Sequence, residues 1–411
     1  GDVHSQDKAL HVMCLRHGPQ LLEVMSPDVV FGDLPPCKII APKNLRKRDR
    51  LGAGAFGAVY RGTLRTDETP DSPAVDVAIK SLMSDTSDDE LLKSKAGDLR
   101  QTDGEQQAAA AKKNAKMLDP SQIAQAYTNT RKELAIMCSL LHPHVVPFYG
   151  VCLRPLCFVL QLARGELSGV LKNYREASRM LSFSSAWASA LQIASGLEYL
   201  HSIDIVYCDL KAENVLVFEH PTPLNDEQGT FRPVLRALQP GKSADWYRND
   251  VAKQQLSAES VAVCGVRVKI ADFGISRSTT YDGARGFCGT FGYMAPEILQ
   301  YRGRETYTDK VDIFSYAMVL YELITLHGPM INASEAEIKR SYHYGIRPKL
   351  NRKHLQSSIM LRELMHWSWQ QLPENRPSAS QVITALTDPP HARLLHGFVL
   401  TDALPFTACT S

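Results

Sequence analysis

Three short stretches of the 411-residue chain carry polar side chains whose types and spacing suit the handling of nucleotide phosphates. The most specific is Tyr207-Cys208-Asp209-Leu210-Lys211-Ala212-Glu213-Asn214, set between the strand-like Ile205-Val206 and the apolar Val215-Leu216-Val217. An aspartate five positions before an asparagine offers one carboxylate for an acceptor hydroxyl and one amide oxygen for a metal. Lys211, between them, can neutralise a phosphoryl group in transfer. A surface loop can hold Asp, Lys and Asn by chance, but rarely at this spacing between two apolar strands. Ala271-Asp272-Phe273-Gly274 follows a strand pattern at Val266–Ile270. Asp272 is a hard oxygen ligand suited to Mg²⁺ bridging two phosphates, Phe273 can pack beneath it, and Gly274 permits the turn. The plainer alternative is a β-turn that happens to contain an aspartate. The third stretch, Val77-Ala78-Ile79-Lys80, puts a lysine on an apolar strand, which is either a solvated edge lysine or a cation aimed at the α- and β-phosphates.

These groups need elements to hold them. Leu51-Gly52-Ala53-Gly54-Ala55-Phe56-Gly57 matches a G-x-G-x-x-G pattern that is weak alone. A dinucleotide fingerprint demands a helix directly after the glycines. Here Ala58-Val59-Tyr60-Arg61-Gly62-Thr63-Leu64 reads as a strand, so the glycines predict a hairpin that lets backbone amides approach phosphates. Lys80 needs a carboxylate to hold it. Glu133, in Arg131-Lys132-Glu133-Leu134, opens a helical apolar pattern running to Leu141, whereas Glu90 and Glu105 lie in sequence too polar to pack. Two further charges invite buried pairing. Glu297, at the end of Gly289-Thr290-Phe291-Gly292-Tyr293-Met294-Ala295-Pro296-Glu297, is matched with Arg376 in Asn375-Arg376-Pro377. Asp312 lies in a stretch, 311–326, that is apolar nearly all round and therefore predicts a central helix. A buried aspartate must find donors, and the backbone amides of Tyr207 and Cys208 are the expected ones.

The order of patterns is strands first and helices later, an α+β arrangement in two lobes. Residues 1–48, ending in the basic run Lys43 to Arg48, read as a linker, 49–388 as the domain (N-lobe 49–163, C-lobe 164–388), and 389–411 as a C-terminal extension. Polar insertions are expected at 84–125, either disordered or a helix standing in solvent, and at 219–264. Ile193, Leu197 and Leu200 mark one buried helix face in the second lobe. Composition bounds the function. Hydrophobic residues at 44% supply an ample core, and 46 basic against 44 acidic residues lack the surplus of a dedicated nucleic-acid binder. No apolar run approaches the ~20 residues that cross a bilayer. Nine cysteines, odd in number and mostly in apolar stretches, do not read as a disulfide framework, so a cytoplasmic location is expected, peripheral at membranes at most. A chain starting at Gly1 without methionine or signal peptide is expected to be part of a longer protein.

Together the glycine hairpin, Lys80, the Asp209–Asn214 block, Asp272-Phe273-Gly274 and the segment ending at Glu297 resemble the protein-kinase signature set, over roughly residues 48–388. Lys211 and Thr290 resemble the serine/threonine kinases. Tyr207-x-Asp209-Leu210-Lys211, Glu133-Leu134 with Leu141-His142-Pro143, Asp312-Ile313-Phe314-Ser315-Tyr316 and the lead-in Ser26 to Pro35 are similar to the leucine-rich repeat kinases of the Roco family. The resemblance implies a two-lobed kinase fold with ATP and Mg²⁺ as cofactors. It also implies an adenine slot roofed by Val59 and Ala78 with Leu216 as floor, a hinge at Gln161-Leu162-Ala163, and Leu160 as gatekeeper. Leu51, Gly52, Gly54 and Gly57 would cover the phosphates. It further implies partner domains in the same polypeptide (repeats and a GTPase domain) and, by analogy, Rab-type small GTPases as substrates. The departures are Tyr207 in place of the usual His, Cys208 in place of the usual Arg, and the two insertions.

The function expected is phosphoryl transfer from ATP to a protein Ser/Thr hydroxyl. Asp209 orients the acceptor, Lys211 stabilises transition-state charge, Asn214 and Asp272 hold metal, and Lys80 and Glu133 fix the phosphates. Phe273, Gly274, Thr290, Glu297, Asp312 and Arg376 take structural parts. A pseudokinase scaffold and a tyrosine kinase are the rival readings. All six polar positions hold the expected residue types, which argues against the scaffold.

Overall fold

The computed structural model describes residues 34, 36–54, 57–65, 74–81, 120–219, 266–279, 283–303, 305–351 and 359–387. The lead-in at 26–33, most of both insertions and the extension 389–411 lie outside the described residues. The chain divides into two compact units, the first made of residues up to Ser139 together with Phe148–Leu162, the second of Leu140–Pro147 together with everything from Ala163.

In the first unit β1 (Leu45–Gly54), β2 (Gly57–Arg65), β3 (Ala74–Ser81), β4 (Phe148–Leu153) and β5 (Leu156–Gln161) form one antiparallel sheet in the order β1-β2-β3-β5-β4. The sheet begins at Leu45, four residues before the expected domain boundary. Most of the basic run, Leu45 to Arg48, therefore belongs to a strand rather than to the linker, and Lys43 and Asn44 lie in the 3-10 turn Pro42–Asn44 before it. Leu45 packs on the apolar face, and Lys47 lies 3.7 Å above the ring of Tyr60, where its charge meets the negative face of the π-system. The chain before it is also docked. Ile39 bridges Val151, and Lys38 Nζ donates to the Phe148 carbonyl at 3.1 Å.

Alternation along β3 sorts its side chains onto two faces. Val77 and Ile79 join Cys152, Cys157 and Val159 in a small core covered by Ile40, Leu45, Tyr60, Leu64 and Tyr149. Ala78 and Lys80 point to the other face. Gly62 makes this packing possible, because a Cβ there would collide with the Ile79 side chain and the Arg46 carbonyl. Helix α1 (Pro120–Ser139) carries Glu133. It starts five residues inside the stretch read as a polar insertion and ends two residues before Leu141, so residues 120–125 belong to the helix that holds the carboxylate.

The second unit is mainly helical: α2 (Leu167–Glu176), α3 (Phe183–Ser202), α4 (Pro296–Leu299), α5 (Lys310–Thr325), α6 (Glu335–His343), α7 (Ile359–Ser368) and α8 (Ala379–Thr387). Helix α5 is buried from Val311 to Thr325 without a gap and contacts α3 and α7, as its all-round apolar sequence requires. Leu326 ends it in the left-handed conformation, its amide donating to the Glu322 carbonyl at 2.8 Å. Ser182 caps α3 through the Ser185 amide, and Ile193, Leu197 and Leu200 on that helix are buried. Gly196 lets α3 approach β9 (Arg267–Ile270) closely, since a Cβ there would stand 2.8 Å from Ile270 Cδ1. Three short strands, β6 (Gly165–Glu166), β8 (Val215–Glu219) and β9, pair in the order β6-β8-β9, while β7 (Ile205–Val206) pairs with β10 (Arg277–Ser278).

Candidate active site

In the first unit the glycine stretch is a hairpin, with Gly52 opposite Val59 and Gly54 opposite Gly57. Ala55 and Phe56 at its tip lie outside the described residues. A Cβ on Gly52 would meet nothing within 4 Å, so open space borders the backbone there. Antiparallel register sets Val59 opposite Lys80 and Ala78 opposite Leu160, which places all four on the face away from the Ile79 core. Lys80 Nζ lies 2.6 Å from Glu133 Oε1, and both side chains are nearly enclosed, at 11% and 5% exposed. Two charges removed from water at this separation hold each other in one geometry. Gln161 is opposite Val77 on the other face, so what the hinge position offers on the Lys80 side is backbone, not its amide side chain. Leu51 is half exposed.

In the second unit the ladder between β8 and β9 does the positioning. Val215 pairs with Ile270 at one end, and the Ala271 amide continues the ladder by donating to the Asn214 carbonyl at 2.9 Å. Asn214 is therefore the residue just before the paired end of β8, and Asp272 lies two residues past the paired end of β9. At the opposite end Glu219 pairs with Arg267, and their side chains meet at 3.0 Å. The insertion departs from that far end. Four residues of strand, at roughly 3.3 Å each, separate its root from the site.

Asp209 is the centre of a polar network. Its Oδ1 accepts from Thr290 Oγ1 at 2.7 Å, and its Oδ2 accepts from Asn214 Nδ2 at 2.9 Å and lies 3.2 Å from Lys211 Nζ. Lys211 Nζ also donates to Thr290 Oγ1 at 2.8 Å. Because Asn214 donates through its nitrogen, to the Asp209 carbonyl as well, its side-chain oxygen is the atom suited to a cation. Asp272 stands at φ +59, a left-handed conformation that a non-glycine residue adopts only when its surroundings impose it. Gly274 follows it, its amide 3.4 Å from Asp272 Oδ1. Carboxylate plus amide oxygen is a hard donor set that suits a divalent cation whose remaining ligands are phosphate oxygens and water. Among the described residues no cluster of three or more His, Cys, Asp or Glu could hold a metal by itself.

The loop that carries Asp209 hangs from Asp312. This fully buried carboxylate accepts from the Tyr207 and Cys208 amides, each at 2.7 Å, and contacts His201 Nε2 at 2.9 Å. Cys208 is held at φ +72 by that grip. Tyr207 is enclosed. Its hydroxyl donates to the Ala271 carbonyl, and its ring meets Phe273 edge-on at 5.4 Å between centroids. Burial and the surrounding carboxylates of Asp272, Asp209 and Asp312 push its phenol well above the ordinary range, so it stays a neutral donor. The departure from histidine thus adds a hydroxyl tie between the catalytic loop and the strand leading to Asp272. Sequence reasoning did not anticipate that tie or the direct Thr290–Asp209 bond. A buried Tyr beside a catalytic aspartate was the available signal for the first; nothing local signals the second, which joins residues 81 positions apart.

Arg376 is fully buried and uses all five N–H groups. Two go to Glu297, at 2.7 and 2.9 Å, and three to the carbonyls of Lys310, Gln370 and Gln371. Of the expected site residues, Leu51, Gly52, Gly54, Gly57, Val59, Ala78, Lys80, Glu133 and Gln161 belong to the first unit. Ala163, Asp209, Lys211, Asn214, Leu216, Asp272, Phe273, Gly274, Thr290, Glu297, Asp312 and Arg376 belong to the second.

Residues 99–386 match the family model described as protein kinase domain. The chain is 35% identical over 398 residues, 96% of its length, to a leucine-rich repeat serine/threonine-protein kinase 1 of Caenorhabditis elegans, and covers 14% of that protein. It is also 35% identical over 273 residues, 66% of its length, to a mouse protein of the same name, covering 11% of it. A probable serine/threonine-protein kinase, drkD, of Dictyostelium discoideum is 27% identical over 343 residues, with 81% of this chain and 19% of that protein covered. The chain thus spans a small fraction of the relatives it matches.

Proposed function

The chain belongs to the protein kinase family, and we propose that it transfers the γ-phosphoryl group of ATP to a serine or threonine hydroxyl of a protein substrate. The observation that carries this reading is the network in which Asn214, Thr290 and Lys211 converge on one carboxylate, Asp209, one strand-end away from Asp272. ATP, when bound, supplies the phosphoryl group, and Mg²⁺ neutralises part of its charge. The remaining work falls to residues of this chain. Asp209 accepts the hydrogen of the acceptor hydroxyl and aims its oxygen. Asn214 and Thr290 hold that carboxylate in one orientation. Lys211 contributes positive charge where negative charge develops, and Lys80, steadied by Glu133, binds phosphate oxygens. Asn214 and Asp272 hold the cation. The covalent chemistry asked of the protein is small, so positioning and electrostatics supply the acceleration.

The Lys211–Thr290 contact supports the serine/threonine acceptor, since both residue types occupy the positions by which this chain resembles those kinases. The names of two relatives support a larger polypeptide with leucine-rich repeats; a regulating GTPase domain, Rab-type small GTPases as the substrate class and the cytoplasm as the compartment rest on the resemblance of the sequence motifs alone. Among the described residues no helix is long and apolar enough to cross a membrane. The test is phosphate transfer from labelled ATP·Mg²⁺ to a panel of small GTPases and a generic basic protein, followed by phosphoamino-acid analysis. Phosphoserine or phosphothreonine that disappears in Asp209→Asn is the expected result. Binding of ATP with no transfer to any acceptor would favour the scaffold reading instead.

A further inference from the structure

Cys208 directly precedes the catalytic aspartate, and Cys288 lies two residues before Thr290, in the segment running from Asp272 to Glu297. They are 80 positions apart in sequence and meet in the fold. Each thiol reaches the same phenol: Cys288 Sγ is 3.0 Å from Tyr307 Oη and Cys208 Sγ is 3.9 Å from it. The two stretches of backbone also run close together, since a Cβ on Gly289 would stand 2.8 Å from the Cys208 carbonyl. Both side chains are free cysteines and buried, but Cys288 follows Phe287, which is half exposed, and Arg285 and Phe287 are open to solvent.

We propose that Cys208 and Cys288 are a redox modification site, oxidised by a hydroperoxide to an intrachain disulfide that ties the loop carrying Asp209 to the segment running from Asp272 to Glu297.

The chemistry divides between the two sulfurs. Cys288 is the better thiolate. The hydrogen bond from Cys208 lowers its pKa, as do the Tyr307 hydroxyl and the Arg277 guanidinium, against burial and the Asp312 carboxylate, which raise it. Cys208 is pushed well up by the same pairing, by burial and by Asp312, so it remains the protonated partner. The Cys288 thiolate attacks one peroxide oxygen, the O–O bond breaks, and hydroxide (or an alkoxide) leaves, giving a sulfenic acid. Cys208, losing its proton, attacks the sulfenic sulfur, and the S–OH bond breaks to release water. One peroxide has taken two electrons from two thiols.

The consequence follows from where the sulfurs sit. An S–S bond is about 2.05 Å long, so closure pulls the Cys208 and Cys288 side chains off Tyr307 and toward each other. There is little room to do so. Gly289 stands at φ +105, and a Cβ on it would already be 2.8 Å from the Cys208 carbonyl. The strain therefore passes to Thr290 and to its bond with Asp209. A misplacement of about 1 Å at such a site costs on the order of 100-fold in rate.

The experiment treats the 411-residue chain with hydrogen peroxide, alkylates remaining thiols, and digests it for mass spectrometry. A peptide pair linking Cys208 to Cys288 is expected, and this readout does not depend on the protein being an active kinase. Phosphoryl transfer, which does depend on that reading, is expected to fall more than ten-fold on oxidation and to return with a thiol reductant. Cys208→Ala leaves the Asp312 contact to the backbone intact, so it should keep near-normal activity, resist the peroxide-induced link and accumulate a sulfenic acid on Cys288 that dimedone traps. Cys208→Ser serves the same purpose should the alanine variant unfold. Recovery of Cys208 and Cys288 both alkylated, with Cys152 and Cys157 or no thiols oxidised, would overturn the proposal. So would equal, reversible inactivation of Cys208→Ala.

Discussion

Two buried ion pairs of this chain look alike in the sequence and differ in construction. Lys80–Glu133 joins a strand to a helix through an ammonium, a compact point charge, 2.6 Å from one carboxylate oxygen. Arg376–Glu297 joins a planar fork to both oxygens of a carboxylate and saturates the three remaining N–H groups with carbonyls from two further segments. An arginine whose every donor is matched inside the protein is a fastener; its guanidinium also lies 5.0 Å from the centre of the Phe314 ring. A lysine on the face that carries Val59 and Ala78, opposite the apolar core of its own sheet, can exchange or share its contact with an arriving phosphate. The difference teaches that burial and pairing do not by themselves separate function from stability. The geometry of the donors does.

Substitution should expose that contrast. Lys80→Met is expected to lower kcat/KM by at least ~10³, about 4 kcal/mol, in a variant that still folds though the Glu133 ion pair is lost. Retention of a tenth of wild-type activity would show that Lys80 does not touch the phosphates. Arg376→Met should do the reverse in kind. Leaving Glu297 and three carbonyls without their donor in a closed site is expected to cost about 3–5 kcal/mol in denaturant unfolding. Arg376→Lys should recover only part of that loss, because a point charge cannot fill the fork. If the methionine variant is as stable as the parent, the fastener reading fails.

Glu322 adds a third case, a buried carboxylate with no cation in hydrogen-bond contact among the described residues. It accepts from the Tyr293 hydroxyl at 2.8 Å, and burial, with the charge of Glu213 adding to it, raises its pKa to about 7 despite that bond and Arg175. A carboxyl raised from its unfolded value of 4.5 to about 7 contributes stability that is fully present below pH ~4.5 and is lost as the pH climbs through 7. Glu322→Gln keeps an acceptor for Tyr293 and has no charge to bury. Its stability relative to the parent should therefore rise between pH 4.5 and 7.5 by roughly 1–3 kcal/mol and level off above. A difference that does not change with pH would mean that Glu322 titrates normally.

The smallest effect is expected where the sequence departs most visibly from the kinase pattern. The stretch between Glu219 and Arg267 is rooted at one end of the β8–β9 ladder, while Asn214 and Asp272 lie at the other. Replacing 224–260 with a short Gly-Ser bridge should change kcat by less than about three-fold. A still-folded deletion that loses activity would show that the insertion reaches the site from outside the described residues.

Much of this molecule could be read without coordinates because its chemistry lies in contiguous blocks. Asp209-x-Lys211-x-x-Asn214 spans little more than one turn of chain, so its residues share a loop whatever the rest of the fold does. The all-round apolar run at 311–326 had to be a central helix, since no solvent-facing stripe exists along it. The same reasoning made Asp312 seek backbone donors, and the Tyr207 and Cys208 amides are where it finds them. Choosing Glu133 over Glu90 and Glu105 rested on apolar spacing, the signal that a helix will have a face to bury.

Only the tertiary structure decided the contacts whose partners are far apart in sequence and individually ordinary. The basic run at 45–48 carries no mark of a strand; it becomes one because Leu45 covers an apolar face that β2 and β3 create, with the Lys47 ammonium over the Tyr60 ring. Thr290 reaches Asp209, Tyr207 reaches Ala271, and Cys208 meets Cys288 on Tyr307 because α5, the β8–β9 ladder and the catalytic loop bring their segments together. A threonine or cysteine has no periodicity that announces its partner. Local patterns determine which residues form elements and which blocks carry chemistry, since those depend on neighbours in the chain. Which of two thiols or hydroxyls stand within 4 Å depends on how whole elements pack, and that was settled only in three dimensions.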